Sequence, residues 1–181
     1  MNSIPSSEYS EAYIALGANL GDREGTLLEA LERLDRHSEI KVLRCSSLYE
    51  TDPVGYLDQP NFINMAIAVR TRLQPEELLT YMLETELELG RQRLIRNGPR
   101  TVDLDLLWMG GITMETPLLT LPHPRMMERA FVLVPLADIT EEDQTGLSDL
   151  VRTALEQGGG KEGVRFWKTC SWRSESAPSE N

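Results

Sequence analysis

The order in which hydrophobic periodicities follow one another along this chain limits its fold more than any single motif. "AYIALGAN" is a short apolar run that reads as a buried strand. In "LGDREGTLLEALERLDRHS", Leu27, Leu28, Leu31 and Leu34 recur at helical spacing, with Asp22 or Asn19 placed to cap the start. "IKVLRCSSLYET" and the alternating "NFINMAIAVRTR" read as two more strands, joined by the polar, proline-bearing "DPVGYLDQP". Pro75 suits a first helical turn, and the second helix continues with Leu78, Met82, Thr85 and Leu89 along one face until Gly90. "TVDLDLLWM" is the next strand, followed by a turn at Gly110 and Gly111 with a hairpin, and then by the partly helical "LPHPRMMERAFVLVPLADI". The order β-α-β-β-α-β is the split βαβ arrangement. The expected fold class is therefore α+β: a ferredoxin-like core with an antiparallel or mixed sheet covered by helices, an added hairpin and a C-terminal helix.

A chain of 181 residues suffices for one domain with a real core. We expect an N-terminal extension over 1–11, a single catalytic domain over 12–157 and a Gly/Ser-rich, Trp-dotted tail over 158–181 that reads as a loose end. No apolar run approaches the roughly 18 residues a membrane span needs, and the N-terminus lacks the basic start and apolar stretch of a signal peptide, so the expected location is cytoplasmic. Two cysteines, Cys45 and Cys170, match no metal spacing and read as reduced thiols without a role. With 29 Asp+Glu against 18 Lys+Arg, the net charge of −11 opposes broad nucleic-acid binding. An anionic ligand needs a local basic pocket.

Such a pocket is encoded in "RNGPRTVDLDLLW". Side chains at i and i+2 of a strand share a face, so Asp103 and Asp105 lie on one side while Val102, Leu104 and Leu106 lie on the other. Two converging carboxylates repel unless a cation sits between them. Hard oxygen ligands favour magnesium, which keeps several waters and completes its shell with substrate phosphates. An exposed strand face with two solvated aspartates is the ordinary alternative. The preceding arginines weigh against it: Arg91, Arg93, Arg96 and Arg100 crowd a segment without an acid, and guanidinium forks match phosphate oxygens in pairs. Pairing with Glu84, Glu86 and Glu88 of the helix before them accounts for some of these arginines. Glu86 itself falls at the edge of the buried helical stripe, facing the site from the side or simply reaching water. Phe62 and Asn64 share a strand face, a ring beside an amide, which suits a flat heterocycle with donor and acceptor edges. "GANLG" lacks the Lys-Ser/Thr of a P-loop and reads as a tight turn and cap, and "GGGK" fails for the same reason.

The segment "RNGPRTVDLDLL", with "YIALGANLGD", "YETDPVGYLDQPNFIN" and "LPHPRMMERAFVLVPL", resembles the hydroxymethyldihydropterin pyrophosphokinases of folate synthesis, in order from about Tyr13 to Ile139. The resemblance implies transfer of a pyrophosphoryl group from ATP to the hydroxymethyl oxygen of 6-hydroxymethyl-7,8-dihydropterin, releasing AMP, with two magnesium ions; the charge balance and the hydropathy, read above, point to no nucleic-acid and no membrane partner. Carried over by matching position, Asp103 and Asp105 hold the metals. Glu86, Arg91, Arg93, Arg100, Leu106, Thr120, His123 and Arg129 line the ATP side, and Thr51, Asp52, Val54, Phe62, Asn64 and Phe131 form the pterin side. Arg91, Arg100 and Asp105 are the candidate catalytic groups. One departure is Asn97, where family members often carry an aromatic residue. The readings from other classes are a magnesium-dependent phosphohydrolase using the same aspartates on water, and a ferredoxin-like RNA-binding module. The RNA reading lacks an aromatic platform on the sheet.

Overall fold

The computed structural model describes residues 8–90, 101–140, 146–158, 163–170 and 172. Strand β1 (Ser10–Ala18) runs into helix α1 (Arg23–Arg36), whose start is fixed by Asp22: its carboxylate accepts the Gly25 N–H at 3.0 Å. Asn19, the other candidate cap, instead donates to Gln59 Oε1 and the Pro60 carbonyl, tying the end of β1 to a distant loop. The segment expected as one strand over 40–51 is two, β2 (Ile40–Cys45) and β3 (Leu48–Thr51), both antiparallel to the long β4 (Phe62–Thr71). The break has a local cause. The Ser46 N–H still donates to the Ala66 carbonyl at 2.9 Å, but the Ala66 N–H goes to the Ser46 hydroxyl and the Ser47 N–H to Asp138, so side-chain bonds take over part of the ladder there.

Helix α2 (Pro75–Glu88) begins with proline in its first turn, while Glu77 accepts the Gln74 N–H at 2.8 Å. Gly90, at φ 87°, follows its end in the left-handed conformation that stops helices. Strand β5 (Asp103–Met109) turns through Gly110 and Gly111 into a small hairpin of β6 (Met114–Glu115) and β7 (Thr120–Leu121). A 3-10 turn at Met126–Glu128, helix α3 (Ala130–Ile139), helix α4 (Leu147–Gln157) and strand β8 (Val164–Lys168) complete the described chain. β8 lies within the expected tail, yet it pairs with β3 and joins the main sheet.

The main sheet has the order β5-β1-β4-β3-β8, with β2 also on β4, and every pairing is antiparallel. Alternation along the strands divides the side chains between two faces. Ala12, Ile14, Leu16, Ile63, Met65, Ile67, Leu104 and Leu106 pack with Leu27, Leu31, Leu78 and Met82 of α1 and α2. Tyr13, Ala66, Ala68 and Leu107 pack on the other face against Val132, Leu133 and Leu136 of α3 and Val151 of α4. The sheet is thus sandwiched, each fully buried leucine contributing about 1.5–3 kcal/mol. Cys45 and Cys170 are free thiols associated with the first of these cores. Among the described residues no helix is long and apolar enough to cross a membrane.

Candidate active site

Helix α3 covers only part of its sheet face. Where its first turn begins, the face opens into a cleft of about 560 Å³ lined by Ala15 and Gly17 of β1, Phe62 and Asn64 of β4, Asp103 and Asp105 of β5, Thr51 to Val54, and His123, Arg129 and Phe131. Register explains the convergence. Gly17 of β1 stands opposite Asn64 on one side and Asp103 on the other, and Ala15 stands opposite Asp105. Every second residue of these strands faces the cleft, so the amide of β4 and the carboxylates of β5 meet across two small residues of β1.

Gly17 has the tightest constraint. A Cβ there would fall against Asn64 Oδ1 and stand 3.8 Å from the Phe62 ring. The Asn64 amide is also held from its other end, donating through Nδ2 to Thr51 Oγ1 at 2.6 Å. With Thr51 2% exposed, the amide is oriented by groups that cannot easily move.

On the opposite wall, the His123 backbone N–H donates to the Leu107 carbonyl at 2.8 Å, fastening the imidazole beside β5. Its Nδ1 accepts the Arg125 N–H at 3.2 Å, which leaves the proton of the neutral ring on Nε2. Burial and the cations Arg129 and Arg125 push the His123 pKa below its ordinary value, while Asp103 pulls the other way. Arg129, just before α3, holds its guanidinium 5.6 Å from the Phe131 ring centroid. The cleft therefore joins a carboxylate pair, an uncharged imidazole, cations and two aromatic rings.

The structure brings Asp103, Asp105, His123, Arg129 and all six pterin-side residues, Thr51, Asp52, Val54, Phe62, Asn64 and Phe131, into this one lining. Arg91, Arg93 and Arg100 lie outside the described residues. Three positions do not join the lining. The Leu106 side chain belongs to the core with α1 and α2, because its place in the β5 alternation is opposite that of Asp105. Thr120 sits on β7, paired with Glu115. Glu86, expected at the rim, is 2% exposed, and its Oε2 accepts the Leu104 N–H at 2.6 Å. It reaches the backbone of β5 between the two aspartates. Lining residues that the sequence does not single out include the small Ala15 and Gly17, the charged Arg125 and Glu128, and Gly163 and Val164 from the C-terminal segment. The small pair Ala15 and Gly17 on one strand face, set against Ile14 and Leu16 on the other, is the available signal; Gly163 and Val164 carry none.

Residues 13–141 match the family model of 7,8-dihydro-6-hydroxymethylpterin-pyrophosphokinase. The 2-amino-4-hydroxy-6-hydroxymethyldihydropteridine pyrophosphokinase of Bacillus subtilis is 48% identical over 94% of this chain and 98% of its own length. The enzyme of the same name from Pseudomonas aeruginosa is 44% identical over 72% of this chain and 80% of its own. A Plasmodium falciparum HPPK-DHPS crystallised with pterin and p-hydroxybenzoate shares the fold, with a TM-score of 0.62 at 16% identity over 88% of this chain. The chain spans 47% of that longer protein. The match to the family model and to these relatives makes the chain an enzyme that transfers a diphosphate group. The chain belongs to the 7,8-dihydro-6-hydroxymethylpterin-pyrophosphokinase family.

Proposed function

We propose that this cleft binds ATP and 6-hydroxymethyl-7,8-dihydropterin side by side and transfers the β,γ-diphosphate of ATP to the pterin hydroxymethyl oxygen, releasing AMP, as a step of folate biosynthesis in the cytoplasm. The observation that carries this reading is the register of β5, β1 and β4, which sets a carboxylate pair beside an oriented amide and aromatic rings in one cleft.

The donor set fits magnesium. Asp103 and Asp105 offer hard oxygens from one strand face, and no described group of three His, Cys, Asp or Glu side chains forms a closed metal cage. These two aspartates would hold two magnesium ions, which, when bound, supply charge neutralisation at the polyphosphate and Lewis acidity toward the attacking oxygen. The chain's own residues do the positioning. Phe62 and Phe131 stack on the pterin faces, Asn64 and Thr51 read its edge, and Asp52 and Val54 close the outer wall. Arg129 and the Nε2–H of His123 donate to phosphate oxygens, joined by Arg91, Arg93 and Arg100. Glu86 acts through β5, and Leu106 offers only backbone. The hydroxyl oxygen forms its bond to the β-phosphorus as the bond to the α-phosphate oxygen breaks; the hydroxyl proton passes to the Asp105 carboxylate and AMP carries away the bonding pair. Alignment and electrostatic stabilisation supply most of the acceleration in such transfers.

Asp103→Ala and Asp105→Ala should each lower kcat by at least about a hundredfold with thermal unfolding unchanged. Turnover within tenfold of the parent in either purified variant would remove the assignment.

A further inference from the structure

Asp52, Pro53 and Val54 form the outer cleft wall at the start of a long loop that returns to the sheet at Phe62. Pro53 has no N–H, so the β3 ladder cannot continue along this loop. Asn19 at the end of β1 holds the far part of this loop through Gln59 and Pro60. Its near end is held by β8 and the residue before it, C-terminal to the residues that match the family. The Asp52 N–H donates to the Gly163 carbonyl at 3.0 Å, one step past the Thr51–Val164 pair. Arg165 of β8 places Nη2 3.0 Å from Asp52 Oδ1 and 3.9 Å from Glu50 Oε1. The other Glu50 oxygen is 3.2 Å from Arg23 Nη1, and that same nitrogen donates to the Asn61 carbonyl at 3.0 Å. Arg23 in turn lies 5.5 Å from the ring centroid of Trp167 on β8. The two ends of the loop, Asp52 and Asn61, are therefore joined by a continuous Arg165–Glu50–Arg23 chain. Its inner members are half-buried, with Arg23 24% and Glu50 30% exposed, and a network of this kind holds geometry better than an isolated surface pair.

We propose that Arg165, Glu50 and Arg23 form a clamp across the base of the 52–61 loop, and that this clamp positions the pterin wall. Arg165, Glu50 and Arg23 act through Asp52 and Asn61, so they are positioning residues. On this account the catalytic unit extends past residue 157 and includes β8. The inference rests on the pterin reading of the cleft, and its test separates the two.

Glu50→Gln and Arg165→Met are to be compared with the parent in steady-state kinetics and in hydrogen exchange of the 52–61 amides without substrates. The clamp predicts faster exchange across the loop in both variants. It also predicts a pterin KM raised about threefold to fivefold, with the ATP KM and kcat within twofold, and recovery in Arg165→Lys. Unchanged exchange overturns the clamp whatever the cleft binds. Faster exchange with an unchanged pterin KM overturns its positioning role, as does a parallel loss of kcat and both affinities. Failure of the parent to form AMP from ATP and the pterin overturns the pterin reading instead, while the exchange data still decide the clamp.

Discussion

At the scale of single residues, the site depends on where a side chain is missing. In the sequence Gly17 reads as part of a turn, since "GANLG" precedes a helix and glycine there has an ordinary explanation. Its phase in the strand, opposite both Asn64 and Asp103, appears only when three strands are assembled in register. A methyl at this position would press on Asn64 Oδ1 and pull the amide from Thr51. Gly17→Ala should therefore raise the pterin KM about tenfold, within the roughly 1–3 kcal/mol that overpacking costs, and leave the ATP KM unchanged. Steady-state kinetics in both substrates checks it, and an unaltered pterin KM would show that Asn64 does not read the pterin. Asp103 and Asp105, by contrast, were legible at once, because a two-residue period in a strand needs no tertiary information.

At the scale of elements, β5 shows why the helix-borne part was less legible. The periodicity of α2 put Glu86 beside the buried stripe, but it could not show that β5 runs past that position with a backbone N–H to satisfy. β5 is an outer strand of the sheet, and its free edge is capped by Glu86 at the Leu104 N–H and by His123 at the Leu107 carbonyl. Leu104 lies between the two aspartates, so this bond holds the segment that presents them. Glu86→Ala should cost about 1–3 kcal/mol of stability, the range for a buried polar group losing its partner, and Glu86→Gln, which keeps an acceptor, should cost less. Chemical denaturation checks the order. A raised ATP KM with stability intact in both variants would place Glu86 in the ATP site instead. The division of 40–51 into β2 and β3 is hidden in the sequence for a related reason: a serine pair does not interrupt the strand pattern, and the bonds of Ser46 to Ala66 and of Ser47 to Asp138 exist only in the assembled sheet.

At the scale of the whole molecule, a sheet covered fully on one face and partly on the other leaves its opening where the polar ends of β3, β4 and β5 meet. The element order of the core was readable from periodicity. The contribution of β8 was not, because a five-residue strand after a glycine-rich stretch carries little pattern of its own. Its place depends on the edge that β3 offers. Transfer of an intact diphosphate in this cleft is tested most directly by its products. Incubated with ATP, magnesium and 6-hydroxymethyl-7,8-dihydropterin, the protein should form AMP and the pyrophosphorylated pterin in equal amounts, and no AMP without the pterin. Formation of ADP, or release of phosphate from ATP in the absence of the pterin, would contradict it.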